Sequence, residues 1–258
     1  MTATGRLLAF DVGNTRIKAG VFEGLELRRV FTLETGGYAD VSLDDVLREE
    51  VPDPPSVVIL GSVVRDVSGV FASSVNRVWS IELIEATPEL PLGLRVDVPD
   101  PMSVGIDRLL LAGEAFALTG KPTIVVGTGT AITLDVVGGD GVYRGGTISA
   151  GLGLSAWALA ERTSLLPEVS TDSEPGTVPQ TTEANLQTGL LIGAAGSVDR
   201  LVHEMASRAG FNQVDVILTG GDAARLTGHL KTPHRIVIDL VLKGLARTAA
   251  RMFGSADS

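Results

Sequence analysis

Apolar and polar positions along the chain predict two successive stretches with the same layout. Leu7 to Asp11 is a short apolar run that closes on an acid just before Gly13, the pattern of a buried strand entering a tight turn. Arg16 to Phe22 and Leu25 to Leu33 carry β-compatible residues separated by Glu23-Gly24, so the opening reads as three consecutive strands. Ser42 to Asp45 resembles a capping box and predicts a helix through Glu50 with Leu43, Val46 and Leu47 on one face. Ser56 to Val64 is a near-continuous Val/Ile/Leu run, as expected of a strand buried on both faces. A helix from about Asp66 to Val78 and a strand at Ile81 to Ile84 follow. Pro88, Pro91, Pro99 and Pro101 make 88–101 an extended connection, since each biases the residue before it away from helix.

A strong helix, Ile106 to Leu118, precedes a return of the opening pattern. Thr123 to Val126 reads as a strand, Gly127 to Thr130 as a turn, Ile132 to Val137 as a strand, Gly138 to Gly141 as a turn, and Val142 to Ile148 as a strand. Helices at about Leu152 to Glu161 and Thr182 to Ala206, a strand at Val214 to Leu218 and a helix at Leu240 to Met252 complete the chain. Two similar α/β halves are expected, with domains at 1–118 and 119–258.

Composition narrows the chemistry. With 44% hydrophobic and 20% charged residues among 258, the chain is too apolar for disorder and long enough to bury one large or two small cores. There is no cysteine, which removes disulfides, thiol nucleophiles and cysteine-ligated zinc; His203, His229 and His234 lack metal-site spacing. The 31 acids against 21 Lys and Arg give a net charge of -10, which argues against a nucleic-acid partner, because such affinity needs clustered cations. The longest uncharged stretch, Gly145 to Ala160, is shorter than the roughly 20 apolar residues of a membrane span, and MTATGRLLAFD lacks the core of a secretory signal. A cytoplasmic protein that contacts no membrane is the expectation. The abundance of glycine, 31 residues with no low-complexity tract, asks what the backbone approaches so closely.

Four motifs answer that question. Asp11-Val12-Gly13-Asn14-Thr15-Arg16-Ile17-Lys18 sits between two strands, where glycine permits close ligand approach, Asn14 and Thr15 offer donors, and Asp11 can hold a hydrated magnesium ion. Read alone it is equally an ordinary Asx-type hairpin turn. Its partial recurrence as GTGTAIT, 127–133, favours a pair of phosphate loops, one per half; a dinucleotide fingerprint is rejected because Thr and Ile follow where a helix should open. Gly105-Ile106-Asp107-Arg108 begins a helix, where Asp107 can accept a hydrogen bond from a hydroxyl and Arg108 can grip an anion through two parallel donors. Gly145-Gly146-Thr147-Ile148 and Thr219-Gly220-Gly221 offer flat backbone, although each alone could be packing.

Taken together, these motifs resemble the type III pantothenate kinases, also called the Bvg accessory factor family, within the actin and sugar-kinase superfamily. The resemblance runs through DVGNT, GIDR at 105–108, GTGTAIT at 127–133, GGTISAG at 145–151, SLLPEV at 164–169, TTEANLQTG at 181–189 and TGGDA at 219–223. It implies two ribonuclease-H-like (actin-like ATPase) domains with mixed sheets flanked by helices, assembled as a homodimer. The implied reaction is ATP-dependent phosphorylation of pantothenate, the first step of coenzyme A synthesis. By the same resemblance Asp11 to Lys18 and Thr130 bind ATP, with Asp11 near magnesium. Gly105, Ile106, Asp107 and Arg108 bind pantothenate, with Asp107 the proton acceptor, and Thr182 contacts substrate, often from the neighbouring subunit.

The chain departs from the family pattern at two positions. The second loop of the family starts on an aspartate that ligates a monovalent cation, K+ or NH4+, and this chain has Gly127; a family tyrosine nine residues before the catalytic acid is Val98. Asp135 lies across a hairpin and is not expected to replace the missing carboxylate. Two further readings therefore stand beside the kinase: a non-catalytic paralogue that binds ATP or pantothenate, and a related phosphotransferase acting on another anionic alcohol.

Overall fold

The computed structural model describes residues 5–35, 42–172 and 176–254. By contacts the chain divides into a first unit, formed by residues up to Ala117 together with those from Asp239 onward, and a second, Leu118–Ile238. The expectation that 119–258 forms one domain is corrected at its end, because the last helix packs with the first unit.

In the first unit β1 (Arg6–Val12), β2 (Arg16–Glu23) and β3 (Glu26–Glu34) form an antiparallel meander. Helix α1 (Leu43–Glu50) leads to β4 (Val57–Ser62), and α2 (Ser68–Trp79) to β5 (Leu83–Glu85); β4 lies parallel to both β1 and β5. The sheet order is β3-β2-β1-β4-β5. The proline-rich connection carries only a two-residue strand, β6 (Arg95–Val96), and a 3-10 turn at Pro101–Ser103 capped by the Asp100 side chain. Then come α3 (Ile106–Thr119) and, at the far end of the chain, α7 (Leu240–Met252). Ser42 precedes α1 as expected but makes no side-chain cap bond.

Successive residues of a strand face opposite sides of a sheet, and in β1 both sides are buried. Leu8, Phe10 and Val12 join Leu43, Leu47, Phe71 and Val75 of α1 and α2 in one core cluster. Their neighbours Leu7, Ala9 and Asp11 therefore face the other side, with Lys18 of β2 and Gly61 of β4 opposite Asp11. Gly61 lies against Leu110 of α3 and Leu245 of α7, so those two helices cover this second face. Helix α7 belongs here because Leu240, Leu242, Leu245, Ala246 and Ala249 bury a stripe against it.

Helices α3 and α7 meet closely. A β-carbon on Gly244 would stand 2.5 Å from the Leu110 carbonyl oxygen, so only glycine permits this crossing. One helical turn further along α7, Arg247 donates from Nε at 2.6 Å and from its amino group at 3.0 Å to the two carboxylate oxygens of the buried Glu114 on α3. Two parallel bonds from a planar guanidinium fix orientation as well as distance.

The second unit repeats the plan. Strands β7 (Thr123–Thr128), β8 (Ala131–Val137) and β9 (Val142–Ala150) form an antiparallel meander, followed by α4 (Leu152–Arg162) and α5 (Thr182–Arg208). Strand β10 (Asp215–Thr219) returns parallel to β7, and α6 (Ala223–Thr227) leads to β11 (Arg235–Ile236) parallel to β10. The strands of this unit run β9-β8-β7-β10-β11, the same order as β3-β2-β1-β4-β5. Its core joins Ile124, Val126, Leu134 and Leu218 of the sheet to Leu191, Ala195, Val198 and Val202 of α5. Among the described residues no helix is long and apolar enough to cross a membrane.

Replacing Glu114 by Ala removes the carboxylate that Arg247 grips in the interior of the first unit. The substitution is expected to lower unfolding free energy by about 2–4 kcal/mol, measured by denaturant titration.

Candidate active site

The first unit gathers charge at one end of β1. Asp11 is the penultimate residue of β1 and faces Lys18 across the β1–β2 pair. Between them the turn is tied from both sides. The Gly13 N–H donates to the Arg16 carbonyl at 3.0 Å, and the Thr35 hydroxyl donates to the Gly13 carbonyl at 2.7 Å. Within the predicted phosphate loop, Val12 and Ile17 are fully buried in the core, so only their backbone can serve a ligand. Asn14, Thr15 and Arg16 are exposed at the tip. Thr35 was not legible as part of the site, since a lone threonine after a strand carries no signal.

The N-termini of α3 and α7 bring two more acids to the same place. Asp107 lies in the first turn of α3, and its carboxylate accepts hydrogen bonds from its own N–H and that of Arg108. Burial outweighs those bonds and holds its pKa above the ordinary carboxylate range. Gly105 makes this pose possible: a β-carbon there would stand 2.6 Å from Asp107 Oδ1. Ile106 is buried in the core, while Asp107 and Arg108 are half-buried. Asp239, immediately before α7, pairs with Lys18 at 3.0 Å. Asp239 carries no distinctive sequence signal, because an acid before an apolar helical stripe reads as an ordinary cap.

These neighbours set the state of Asp11. Its pKa is pushed up to about 7, first by burial, then by the Asp107 carboxylate and to a lesser degree by Asp239, with Lys18 opposing. Asp11 and Asp239 thus share the Lys18 ammonium group, while the Arg108 guanidinium acts on Asp107.

The second unit holds the remaining sequence candidates. Thr130 is exposed in the β7–β8 turn, where its carbonyl accepts the Gly151 N–H at 2.9 Å. The turn locks onto the loop after β10: the Thr128 hydroxyl donates to the Thr219 carbonyl at 2.8 Å, and the Asp222 N–H donates to the Thr128 carbonyl at 3.3 Å. Gly220 has φ +105°, and a β-carbon on it would meet the Thr128 carbonyl oxygen at 2.1 Å, so this contact requires glycine twice over. Thr182 is exposed in the first turn of α5, behind the capping hydroxyl of Thr181.

Gly127 is the penultimate residue of β7, opposite Thr133 and Thr219, the topological counterpart of Asp11. Asp135 pairs instead with Val125, two residues further down the strand, and its fully buried carboxylate accepts the Tyr143 hydroxyl at 2.8 Å. It is committed to the interior of the second unit.

A family model described as type III pantothenate kinase matches residues 7–204. The chain belongs to the type III pantothenate kinase family. Among curated members, the type III pantothenate kinase of Rubrobacter xylanophilus is 33% identical over 253 residues, covering 93% of this chain and 95% of its own. That of an Anaeromyxobacter species is 34% identical over 246 residues, covering 93% and 96%. Solved structures show the same fold at low identity. A Baf family protein from Campylobacter jejuni, titled a transcriptional activator, superposes with TM-score 0.63 at 18% identity over 95% of this chain and 98% of its own. A protein from Sinorhizobium meliloti titled a 2-dehydro-3-deoxygalactonokinase gives 0.55 at 15% identity over 96% and 99%. The two-domain α/β architecture of the actin and sugar-kinase type is therefore that of this chain.

Two predictions follow from the acid cluster. Gly105→Ala is expected to displace the Asp107 carboxylate and cut kcat by about 10- to 100-fold while shifting the melting temperature by no more than about 3 °C, read by steady-state kinetics and calorimetry. In the ligand-free, metal-stripped protein the raised pKa of Asp11 means the folded state holds a proton that the unfolded chain, with its ordinary value of 3.8, gives up first. Stability at this site is thus undiminished below about pH 4 and declines as pH rises through 7. Asp11→Asn is expected to stabilise the apoprotein at pH 8 by about 1–3 kcal/mol, allowing for partial solvent screening, and to leave it unchanged near pH 4.

Proposed function

We propose that this kinase transfers the γ-phosphoryl group of ATP to the hydroxyl of pantothenate, giving 4'-phosphopantothenate at the entry to coenzyme A synthesis. The observation that carries the reading is Asp107, held over Gly105 at the start of α3 beside Asp11 and next to Arg108. Phosphoryl transfer asks the protein mainly to position groups and neutralise charge. Asp107 accepts the hydrogen bond of the pantothenate hydroxyl and takes its proton as the new bond to phosphorus forms. Its raised pKa suits that late acceptance better than an ordinary, weakly basic carboxylate would. Arg108 supplies paired donors for the carboxylate of pantothenate. The Asp11–Lys18 turn receives the phosphates through its backbone and Lys18, and Thr130 contacts ATP.

Magnesium fits the donor set. Three carboxylates against the Lys18 ammonium and the Arg108 guanidinium leave a surplus of negative charge that a divalent cation would offset. Among the described residues no group of three His, Cys, Asp or Glu is placed to hold a metal ion directly. That pattern suits an ion that keeps most of its waters and its phosphate ligands and meets the protein at Asp11. When bound it would supply charge neutralisation at the phosphates.

At the counterpart position Gly127 offers no carboxylate, so we infer that the reaction has lost the potassium or ammonium dependence implied by the family pattern. Exposed Leu154 and Trp157 on α4 and Ile192 on α5 support a homodimer built on the second unit, with Thr182 reaching substrate from the neighbouring subunit in the cytoplasmic enzyme.

Purified protein with Mg·ATP and pantothenate is expected to form 4'-phosphopantothenate at equal rates in sodium, potassium or ammonium salts, and Asp107→Asn is expected to lose at least about a hundredfold in kcat. Nucleotide or pantothenate binding without turnover in any of the three salts would favour the non-catalytic reading. Turnover confined to a different anionic alcohol would redirect the substrate assignment.

A further inference from the structure

Asp239 occupies the cap position of α7 and does not act as a cap. Its side chain makes no hydrogen bond to the N–H groups of its own helix. Aspartate is a favoured residue there because it normally accepts such a bond, a contribution of about 1 kcal/mol. The backbone is also costly, with φ 55° and ψ 34°, a left-handed conformation that asparagine and aspartate tolerate better than other residues with a β-carbon but only glycine adopts freely. Both concessions leave the carboxylate, 12% exposed, aimed at β2, where Oδ1 accepts from Lys18 Nζ at 3.0 Å across 221 residues of sequence. Strain of this kind persists where surrounding structure enforces it, and it clusters at working sites.

Lys18 has two carboxylates to choose from, since Asp11 stands directly opposite on β1. We propose that Asp239 is a positioning residue that holds Lys18 off Asp11, leaving Asp11 open to the hydrated cation and the ammonium group aimed at the nucleotide phosphates. The proposal rests on the kinase reading of the same turn. Without Asp239 the lysine collapses onto Asp11, and each then neutralises the other before substrate arrives. Helix α7, which otherwise only covers the sheet, becomes part of the nucleotide site through the residue that precedes it.

Asp239→Gly separates this role from a structural one, because glycine relieves the left-handed strain while deleting the carboxylate. The variant is expected to melt at or above the temperature of the unaltered protein, yet bind the non-hydrolysable Mg·AMPPNP about tenfold more weakly by calorimetry. KM for Mg·ATP should rise to match, and KM for pantothenate should change less than twofold. Asp239→Glu should recover part of the loss. Lys18→Met should reproduce the defect, and Asp239→Gly added to Lys18→Met should weaken binding no further, the signature of two residues acting as one unit. Mg·AMPPNP affinity within twofold of the unaltered protein in Asp239→Gly, or additive losses in the double variant, would overturn the assignment. Failure of the unaltered protein to phosphorylate pantothenate would refute the substrate and leave the nucleotide measurement standing, so the two claims can fail separately.

Discussion

Everything in the first unit depends on β1 being buried on both faces. A strand between two layers has no solvent side on which to place a polar residue, so the one acid it carries must lie at its end, where the sheet runs out. The alternation that puts Phe10 under α1 and α2 leaves Asp11 on the side of α3 and α7. Those helices point their first turns at it. Asp107 and Asp239 come from positions 132 residues apart in sequence (239 minus 107) and reach the same carboxylate, because their helices cross closely enough at Gly244 and are clamped by Glu114 and Arg247. The electrostatics of the site are thus a product of packing several residues away.

The protein carries ten more acids than bases and binds a polyanion, and the arrangement shows how the two are compatible. Phosphates are not drawn to a basic surface. In the proposed site they would meet backbone N–H groups at the Asp11–Lys18 turn, one lysine held by its own aspartate, and acids whose surplus charge favours a divalent ion. In the free protein this leaves Asp11 on the edge of protonation near neutral pH. Such an arrangement is costly to maintain in the apoprotein and is relieved by the charges it is built to receive.

Much of the fold was legible because its signals are local. The Leu7–Asp11 run, the Val/Ile/Leu stretch before Val64, and the apolar stripe of Leu240–Met252 each announced an element close to its observed bounds. The strand-turn-strand repeat revealed the duplicated plan, which the matching sheet orders bear out. The partner of the last helix was not legible: a stripe of Leu and Ala says that a helix covers apolar surface and not which surface. The same limit hid Asp239 and Thr35, which act through contacts across 221 and 22 residues of sequence, respectively. Asp11, Asp107 and Arg108 stood out because their glycine-rich settings are unusual. Val12 and Ile17 belonged to the motif by position, yet their side chains belong to the core.

The two halves share a strand order, but the penultimate residue of the leading strand is an acid in one and glycine in the other. That difference changes what each strand ending depends on. In the first half the ending of β1 is tied to three charged neighbours, Lys18, Asp107 and Asp239. In the second half the ending of β7 carries no charge and is tied by uncharged contacts, the Thr128 carbonyl resting on Gly220 and the Thr128 hydroxyl donating to the Thr219 carbonyl. One scaffold, used twice, thereby ends its leading strand on a coupled cluster of charges in one half and on a close, uncharged backbone contact in the other.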